Sequence, residues 1–331
     1  MSGLNNKLVH GSNLSQKEQH REKYQDAKSR RYLREIRSKY DTWHEANMAL
    51  IGPRSNSNAG DSAIIKKRVD LMSEYKDFID GKDYAEKFDS RSNLHSSVLE
   101  EFMFYLFKDL VSDFGTHALI GKSHSFKDIF FSPPSYSKML SRPFAKIEIK
   151  DHDFVIGATY TAGFDASEPL EDSPQGANEL ELKVEKKPAH YGEVSVPSTD
   201  LGEAEKAETH AFDVPAVAIE CKTYLDKTML EGSSRAADEI KARHPNGIYI
   251  VVMEWIKLTD AVNLKKYKVD QVYVLRKQKN TDREFRFLEG YVKNPIDTKT
   301  VEHLFNTVRN HLTRDWTGGV ASGLERGWLM D

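Results

Sequence analysis

Residues 215–228 read Pro-Ala-Val-Ala-Ile-Glu-Cys-Lys-Thr-Tyr-Leu-Asp-Lys-Thr, which sets an acid-x-lysine pair inside an apolar, strand-forming run. Side chains alternate along a strand, so Glu220 and Lys222 share one face while Ile219 and Cys221 share the other. A carboxylate and an ammonium two residues apart on stiff backbone can hold a divalent cation and a water beside a phosphodiester. The triplet alone is common in this chain, as at Asp26–Lys28, Glu74–Lys76 and Glu239–Lys241. Most of these copies lie in helical or polar stretches. Only Glu148–Lys150, in Phe-Ala-Lys-Ile-Glu-Ile-Lys, shares the strand-like alternation, and it would need a further acid such as Asp128. The bland reading of Glu220 and Lys222 is a solvated pair on an edge strand.

A second carboxylate comes from Asp151-His152-Asp153, which precedes the apolar Phe154-Val155-Ile156-Gly157. Strands are expected over 144–150 and 153–160, with Asp151 suited to a hairpin turn, which leaves Asp153 for the site. Asp213 is nearer to Glu220 in sequence. It precedes Val214-Pro215, however, so it is expected at the entry to the strand, far from the Glu220 side chain. A third acid lies on a helix whose Val98, Leu99, Phe102, Met103, Leu106, Phe107, Leu110 and Val111 form one wide apolar face. Glu100 and Glu101 begin that face. Either could contribute to a site, although a first-turn glutamate also serves simply to complement the helix dipole.

The elements that must position these residues follow from pattern. The strand with Glu220 and Lys222 runs into a helix over 226–243 and a buried strand over 247–253, a strand-helix-strand unit that implies a parallel pair with a right-handed crossover. A further strand is expected at 271–275 and a closing amphipathic helix at 301–313. Upstream, 15–50 and 61–79 read as helices separated by Gly52-Pro53 and the turn residues to Gly60. The expected organisation is a helical N-terminal region over 1–89 and a core over 90–331, interrupted at about 161–212 by an acidic segment poor in aromatics, read as a surface insertion.

Composition narrows the chemistry. The chain has 331 residues and one cysteine, Cys221, so no disulfide framework exists, and the histidines lack the paired spacing of a structural zinc site. Oxygen ligands are what remain for a metal, which favours magnesium or manganese. No long apolar run and no secretory signal stand out, so a cytoplasmic protein is expected. The net charge of −3 conceals an asymmetry: residues 161–212 hold twelve acidic against four basic residues, a net of −8, which leaves +5 elsewhere. A basic body suits a DNA-binding surface. Arg30, Arg31, Arg34 and Arg37, Arg235, Lys241 and Arg243, and Arg276, Lys277, Gln278 and Lys279 are candidate contacts to phosphates or base edges, with solvated faces as the alternative.

In this order, with Lys150-Asp-His-Asp-Phe-Val-Ile-Gly157 followed by Val217-Ala-Ile-Glu-Cys-Lys-Thr-Tyr-Leu-Asp-Lys-Thr-Met-Leu230, the chain resembles the PD-(D/E)xK nuclease superfamily and, within it, type II restriction endonucleases of the Bpu-ten-I kind. The resemblance spans roughly residues 90–280. The first motif lacks the Pro-Asp pair, and the gap between the motifs is long. The resemblance implies an α/β fold with a central mixed sheet flanked by helices. It also implies Mg2+, replaceable by Mn2+, held by Asp153, Glu220 and the Cys221 carbonyl. Lys222 would act on the attacking water, either as a base if burial lowers its pKa or as a positioning charge if it stays protonated. Glu101 would support the site. The implied partners are duplex DNA, a second nuclease subunit of the same or another kind, and a cognate DNA methyltransferase as genetic neighbour. A structure-specific repair or recombination nuclease and a non-catalytic DNA-binding protein are the alternatives.

Overall fold

The computed structural model describes residues 8–88, 94–130, 146–164, 208–316 and Leu324. Its helices are α1 (Val9–Gln19), α2 (Ala27–Ala49), α3 (Asp61–Ile79), α4 (Lys82–Lys87), α5 (Ser96–Ser112), α6 (Lys227–Arg243), α7 (Asn280–Arg283) and α8 (Thr298–Thr313). The strands are β1 (Ala118–Phe130), β2 (Lys146–Phe164), β3 (Glu208–Leu225), β4 (Ile248–Ile256) and β5 (Gln271–Val274), in one sheet of order β1-β2-β3-β4-β5. β1, β2 and β3 pair antiparallel, while β3, β4 and β5 pair parallel. The expected mixed sheet with flanking helices is what the structure shows.

Helix α6 is the crossover of the expected strand-helix-strand unit. Asp226 caps it by accepting from Met229 N at 2.9 Å, and Leu230, Ala236, Ala237 and Ile240 bury against Val251 and Met253 of β4. The opposite face of the sheet carries α5, whose Val98, Phe102, Leu106 and Phe107 join Phe154, Ile156, Val217, Ile219 and Cys221 in the larger core. That core also takes in Leu14, Ile36, Trp43, Val69 and Met72 of α1, α2 and α3. Full burial of each such side chain contributes roughly 1.5–3 kcal/mol, so α5 is fixed against the sheet with little freedom to shift.

Three expected elements differ. The single helix over 15–50 is two: Asp26 accepts from the Ser29 amide and hydroxyl and starts α2 afresh, while the His20 ring accepts from Glu22 N and Lys23 N in the turn before it. The hairpin turn at Asp151 is absent, because β2 runs unbroken through Asp151 to Asp153. Asp151 instead bonds His124 across the β1–β2 ladder. Finally, both strands extend into the acidic stretch, β2 to Phe164 and β3 from Glu208, so Asp213 is strand interior rather than strand entry; residues 165–207 lie outside the described residues.

Candidate active site

Two irregularities shape the site. β1 and β2 pair Gly121 with Val155 but Ser123 with His152, so Lys122 stands opposite both Asp153 and Phe154. This β-bulge is accommodated by Gly121 at φ +125°, a conformation few other residues adopt. A regular strand would put His152 and Val155 on opposite faces. Here Val155 belongs to the α6-side core with Tyr249, and the His152 ring sits 5.8 Å from the Tyr249 ring. The bulge therefore re-aims Asp153. The second irregularity is a fork: the β2–β3 ladder ends at Phe154–Ile219. Beyond it β2 pairs with β1, and β3 pairs with β4 through Glu220–Val251 and Lys222–Met253.

The backbone amide of Cys221, freed from β2 at the fork, donates to Asp153 Oδ2 at 3.0 Å. Lys222 Nζ donates to the same oxygen at 3.2 Å and lies 2.8 Å from Glu220 Oε1. The other oxygen of Glu220 accepts from the Tyr249 hydroxyl. Asp153, Glu220 and Lys222, which the sequence places 67 or more positions apart across two motifs, thus meet around one ammonium.

Electrostatics assign their states. Burial alone would strip Lys222 of its proton, but Asp153 and Glu220 outweigh it and raise the pKa, so Lys222 is an ammonium. Burial pushes Glu220 up, yet Lys222 and the Tyr249 hydrogen bond bring it below its usual range. Asp153 ends above its usual range through burial, with Glu220 adding to the rise and Lys222 opposing it. Glu100 is raised to about 8, by burial first and then by Asp153, against the pull of Lys122 and Lys222. His152, pushed down to about 4 by burial, is a neutral ring beside this cluster.

Glu100, rather than the expected Glu101, therefore faces the site. Successive helical residues point about 100° apart, and Glu101 turns toward α1, where it is 0% exposed. One of its oxygens accepts from His10 N at 2.9 Å and Gly11 N at 3.0 Å, and the other accepts from the Tyr105 hydroxyl. It caps and anchors the N-terminal helix. Apolar periodicity had no means to distinguish a glutamate that buries against sheet acids from one that buries against distant amides. Tyr249 and His152 also escaped sequence reasoning; the one available signal was a hydroxyl inside the buried run of β4.

The rejected acids have other partners. Asp213 is buried and accepts from Ser123 Oγ at 2.6 Å and Thr159 Oγ1 at 2.7 Å; seven residues of strand, about 23 Å, separate it from Glu220. Glu148 pairs with Lys127, Lys150 with Glu239 and Asp128 with Arg243, a set of ion pairs along β1, β2 and α6.

Of the expected DNA contacts at 276–279, Arg276 is corrected. Arg276 is 1% exposed: it bonds Glu254 at 3.1 Å and Asn294 O at 2.7 Å, and its guanidinium lies 5.1 Å from the Trp255 ring centroid. The Gln278 amide donates to Val292 O and accepts from Asn294 N. Lys277 is exposed but pairs with Asp297, and Lys279 bonds Leu258 O. Arg37 pairs with Glu18, Lys241 with Asp270, while Arg235 is exposed on α6.

Among the described residues no three His, Cys, Asp or Glu side chains enclose a metal position on their own. Magnesium does not require such a cage: it keeps several waters and takes one or two carboxylates together with substrate phosphates. Asp153 and Glu220 are a donor set of that kind, and the carboxylates around Lys222 outnumber it. The residues fit.

The model of the Bpu10I restriction endonuclease family matches residues 91–178 and 196–329, leaving out residues 1–90 and part of the acidic stretch. Among solved structures, a chain described as the native BbvCI A2B2 tetramer is similar over 93% of this chain and 97% of its own, with a TM-score of 0.59 and 17% identity. That likeness shows the fold. No curated protein matches. Since the matched segments take in α5, all five strands and the fork that assembles Asp153, Glu220 and Lys222, the chain belongs to the Bpu10I restriction endonuclease family.

Proposed function

We propose that the protein is a type II restriction endonuclease that hydrolyses phosphodiester bonds of duplex DNA at a short, interrupted sequence. The observation that carries this is the convergence of Asp153, Glu220 and Lys222 at the β2–β3 fork, with Glu100 beside them. Family membership supports a nuclease acting on DNA.

Bound Mg2+, or Mn2+ in its place, would supply Lewis-acid stabilisation of charge developing on the phosphate, held by the carboxylates of Asp153 and Glu220 and the Cys221 carbonyl. Lys222, held as an ammonium, is a poor proton acceptor. Its part is to donate hydrogen bonds to water or phosphate oxygen and to place positive charge where negative charge builds. Tyr249 fixes the rotamer of Glu220 through its hydroxyl, and the Cys221 amide fixes Asp153. Glu100 is positioned to order water next to them.

Cutting both strands takes two such sites. The A2B2 composition of the BbvCI structure supports a heteromeric assembly, in which this chain is one of two kinds of subunit. A cognate methyltransferase protecting the host sequence, and action in the cytoplasm, follow from the same reading. The test is incubation of the protein with unmethylated plasmid or phage DNA and Mg2+, beside a Glu220→Ala control. Discrete fragments lost in the control establish the reading. A smear or structure-dependent cutting favours a repair nuclease, and intact DNA under every condition, second subunit included, overturns it.

A further inference from the structure

The lysines expected to touch DNA at 277 and 279 are committed to internal partners, which raises the question of which cations are free. The loop that leaves β4 and returns to β5 carries Lys257, Lys265, Lys266 and Lys268, all exposed. None of their ammonium groups is held by a carboxylate among the described residues. The acids nearby are already engaged: Asp260 lies 3.6 Å from Lys279 Nζ, and Asp270 takes Lys241 Nζ at 2.7 Å and Tyr249 N at 2.7 Å.

This loop is also built to hold still. Leu258 is buried, and Val262, Tyr267 and Val269 pack against the α6-side core. Asn263 caps a short turn by accepting from Lys265 N at 3.1 Å, Lys268 N donates to Ser234 Oγ of α6 at 2.9 Å, and Lys241 Nζ bonds Lys268 O at 2.9 Å. Four ammonium groups without a carboxylate partner repel one another on a fixed loop, and among the described residues the offset is the Tyr267 ring, 5.5 Å from Lys266 Nζ.

Its position ties it to the site. Lys257 N donates to Leu225 O at 2.8 Å, at the carboxyl end of β3. Leu225 lies three residues, about 10 Å, beyond Lys222. Duplex DNA carries a charge every ~1.7 Å of axis, so a strand with one phosphate at Lys222 brings others across this loop. Ligands of open α/β sheets bind beyond the carboxyl ends of the parallel strands, where Lys257 stands; Lys265, Lys266 and Lys268 follow on the segment that runs back along α6 to Asp270 beside Tyr249.

We propose that the β4–β5 loop is a phosphate-binding shelf, on which Lys257, Lys265, Lys266 and Lys268 grip the DNA backbone and set the duplex against the fork; this rests on the nuclease reading. Such contacts carry no sequence information and act through counterion release.

The test measures duplex binding by the full chain against NaCl concentration, with Ca2+ replacing Mg2+, for the wild type, a four-fold Lys→Ala variant at these positions and a four-fold Lys→Arg variant. Each lysine on a phosphate contributes about 0.9 to the slope of log K against log salt. The alanine variant is expected to lose roughly 3–4 of that slope, and the arginine variant to keep it. A control with Lys28, Lys66, Lys67 and Lys82 changed to Ala carries the same net charge and should retain the wild-type slope. A folded loop variant within about one unit of the wild-type slope, or an equal loss in the control, overturns the shelf. If that variant still cleaves with Mg2+, only the shelf fails; if the wild type neither binds duplex nor cleaves it, both readings fail.

Discussion

Two clusters of charge flank neighbouring residues of β4, for Lys222 stands in register with Met253 and Glu254 follows it. Where α3 meets the end of β4, Lys76 lies 2.8 Å from Glu254, which also holds Arg276 at 3.1 Å, while Lys293 and Arg276 reach Asp77 and Lys293 reaches Asp80. Three cations there meet three carboxylates. Burial pushes Asp80 up, but Lys76 and the His95 hydrogen bond overcome it and leave the acid ionised far below its usual range. At the β2–β3 fork, Glu100, Asp153 and Glu220 face Lys222 and Lys122, and Glu100 responds by keeping its proton to about pH 8. The balanced cluster clamps the N-terminal helices to the sheet. The unbalanced one holds more carboxyl groups than cations. Buried charge reads as structure when its count closes and as function when it does not.

The sharpest way to break this comparison is to mutate each cluster and measure both activity and stability. Asp153→Asn, Glu220→Gln and Lys222→Ala should each lower cleavage on the order of 10^3-fold; Asp153→Asn, which relieves crowding, should leave the melting temperature unchanged or higher, whereas Lys222→Ala, which leaves Asp153 and Glu220 unpaired, should lower it. Arg276→Ala should do the reverse of Asp153→Asn. It strands Glu254 beside Lys76 and costs about 3–5 kcal/mol by denaturant unfolding, with cleavage per folded molecule retained. Loss of activity without loss of stability in Arg276→Ala would dissolve the distinction.

Neighbouring residues on α5 repeat the contrast at a smaller scale. Glu101→Ala removes the acceptor for two α1 amides and the Tyr105 hydroxyl. The expected cost is about 1–3 kcal/mol for buried donors left unpaired, seen as earlier proteolysis of the N-terminal helix, with near-normal cleavage by the remaining folded protein. If Glu101→Gln, which keeps the shape and one acceptor, abolishes cleavage instead, the placement of Glu101 away from the chemistry is wrong.

What the sequence disclosed follows from how local each cause is. Alternation revealed β3 and the shared face of Glu220 and Lys222, and helical periodicity revealed α5 and α6, because a strand or helix displays its buried face in its own residues. The continuity of β2 through Asp151–Asp153 was hidden: two aspartates and a histidine look like a turn unless the facing strand supplies a glycine and a bulge, and Gly121 lies 32 positions away from Asp153. The roles of Glu101 and Arg276 were hidden for the same reason. Their partners, His10 and Gly11 for one, Glu254 and Asp77 for the other, come from distant elements. A basic run such as Arg276–Lys279 looks solvated until the acids that neutralise it fold against it.

A last expected effect tests the imbalance itself. Burial and Asp153 lift Glu100 from its ordinary 4.5 to about 8, with Glu220 adding to the rise and Lys122 and Lys222 opposing it. A carboxyl with a folded pKa above its unfolded one holds a proton in the native state that the unfolded chain has already released. Stability therefore falls as pH rises between those two values and levels off above the higher one. Glu100→Gln has no proton to lose, so without divalent metal it should melt at the wild-type temperature near pH 4.5 and progressively above it up to about pH 8. The two curves should then run parallel. A gap that is constant across this range would mean that Glu100 is ionised throughout, so that Lys122 and Lys222 already neutralise the fork and leave no surplus charge for a metal to answer.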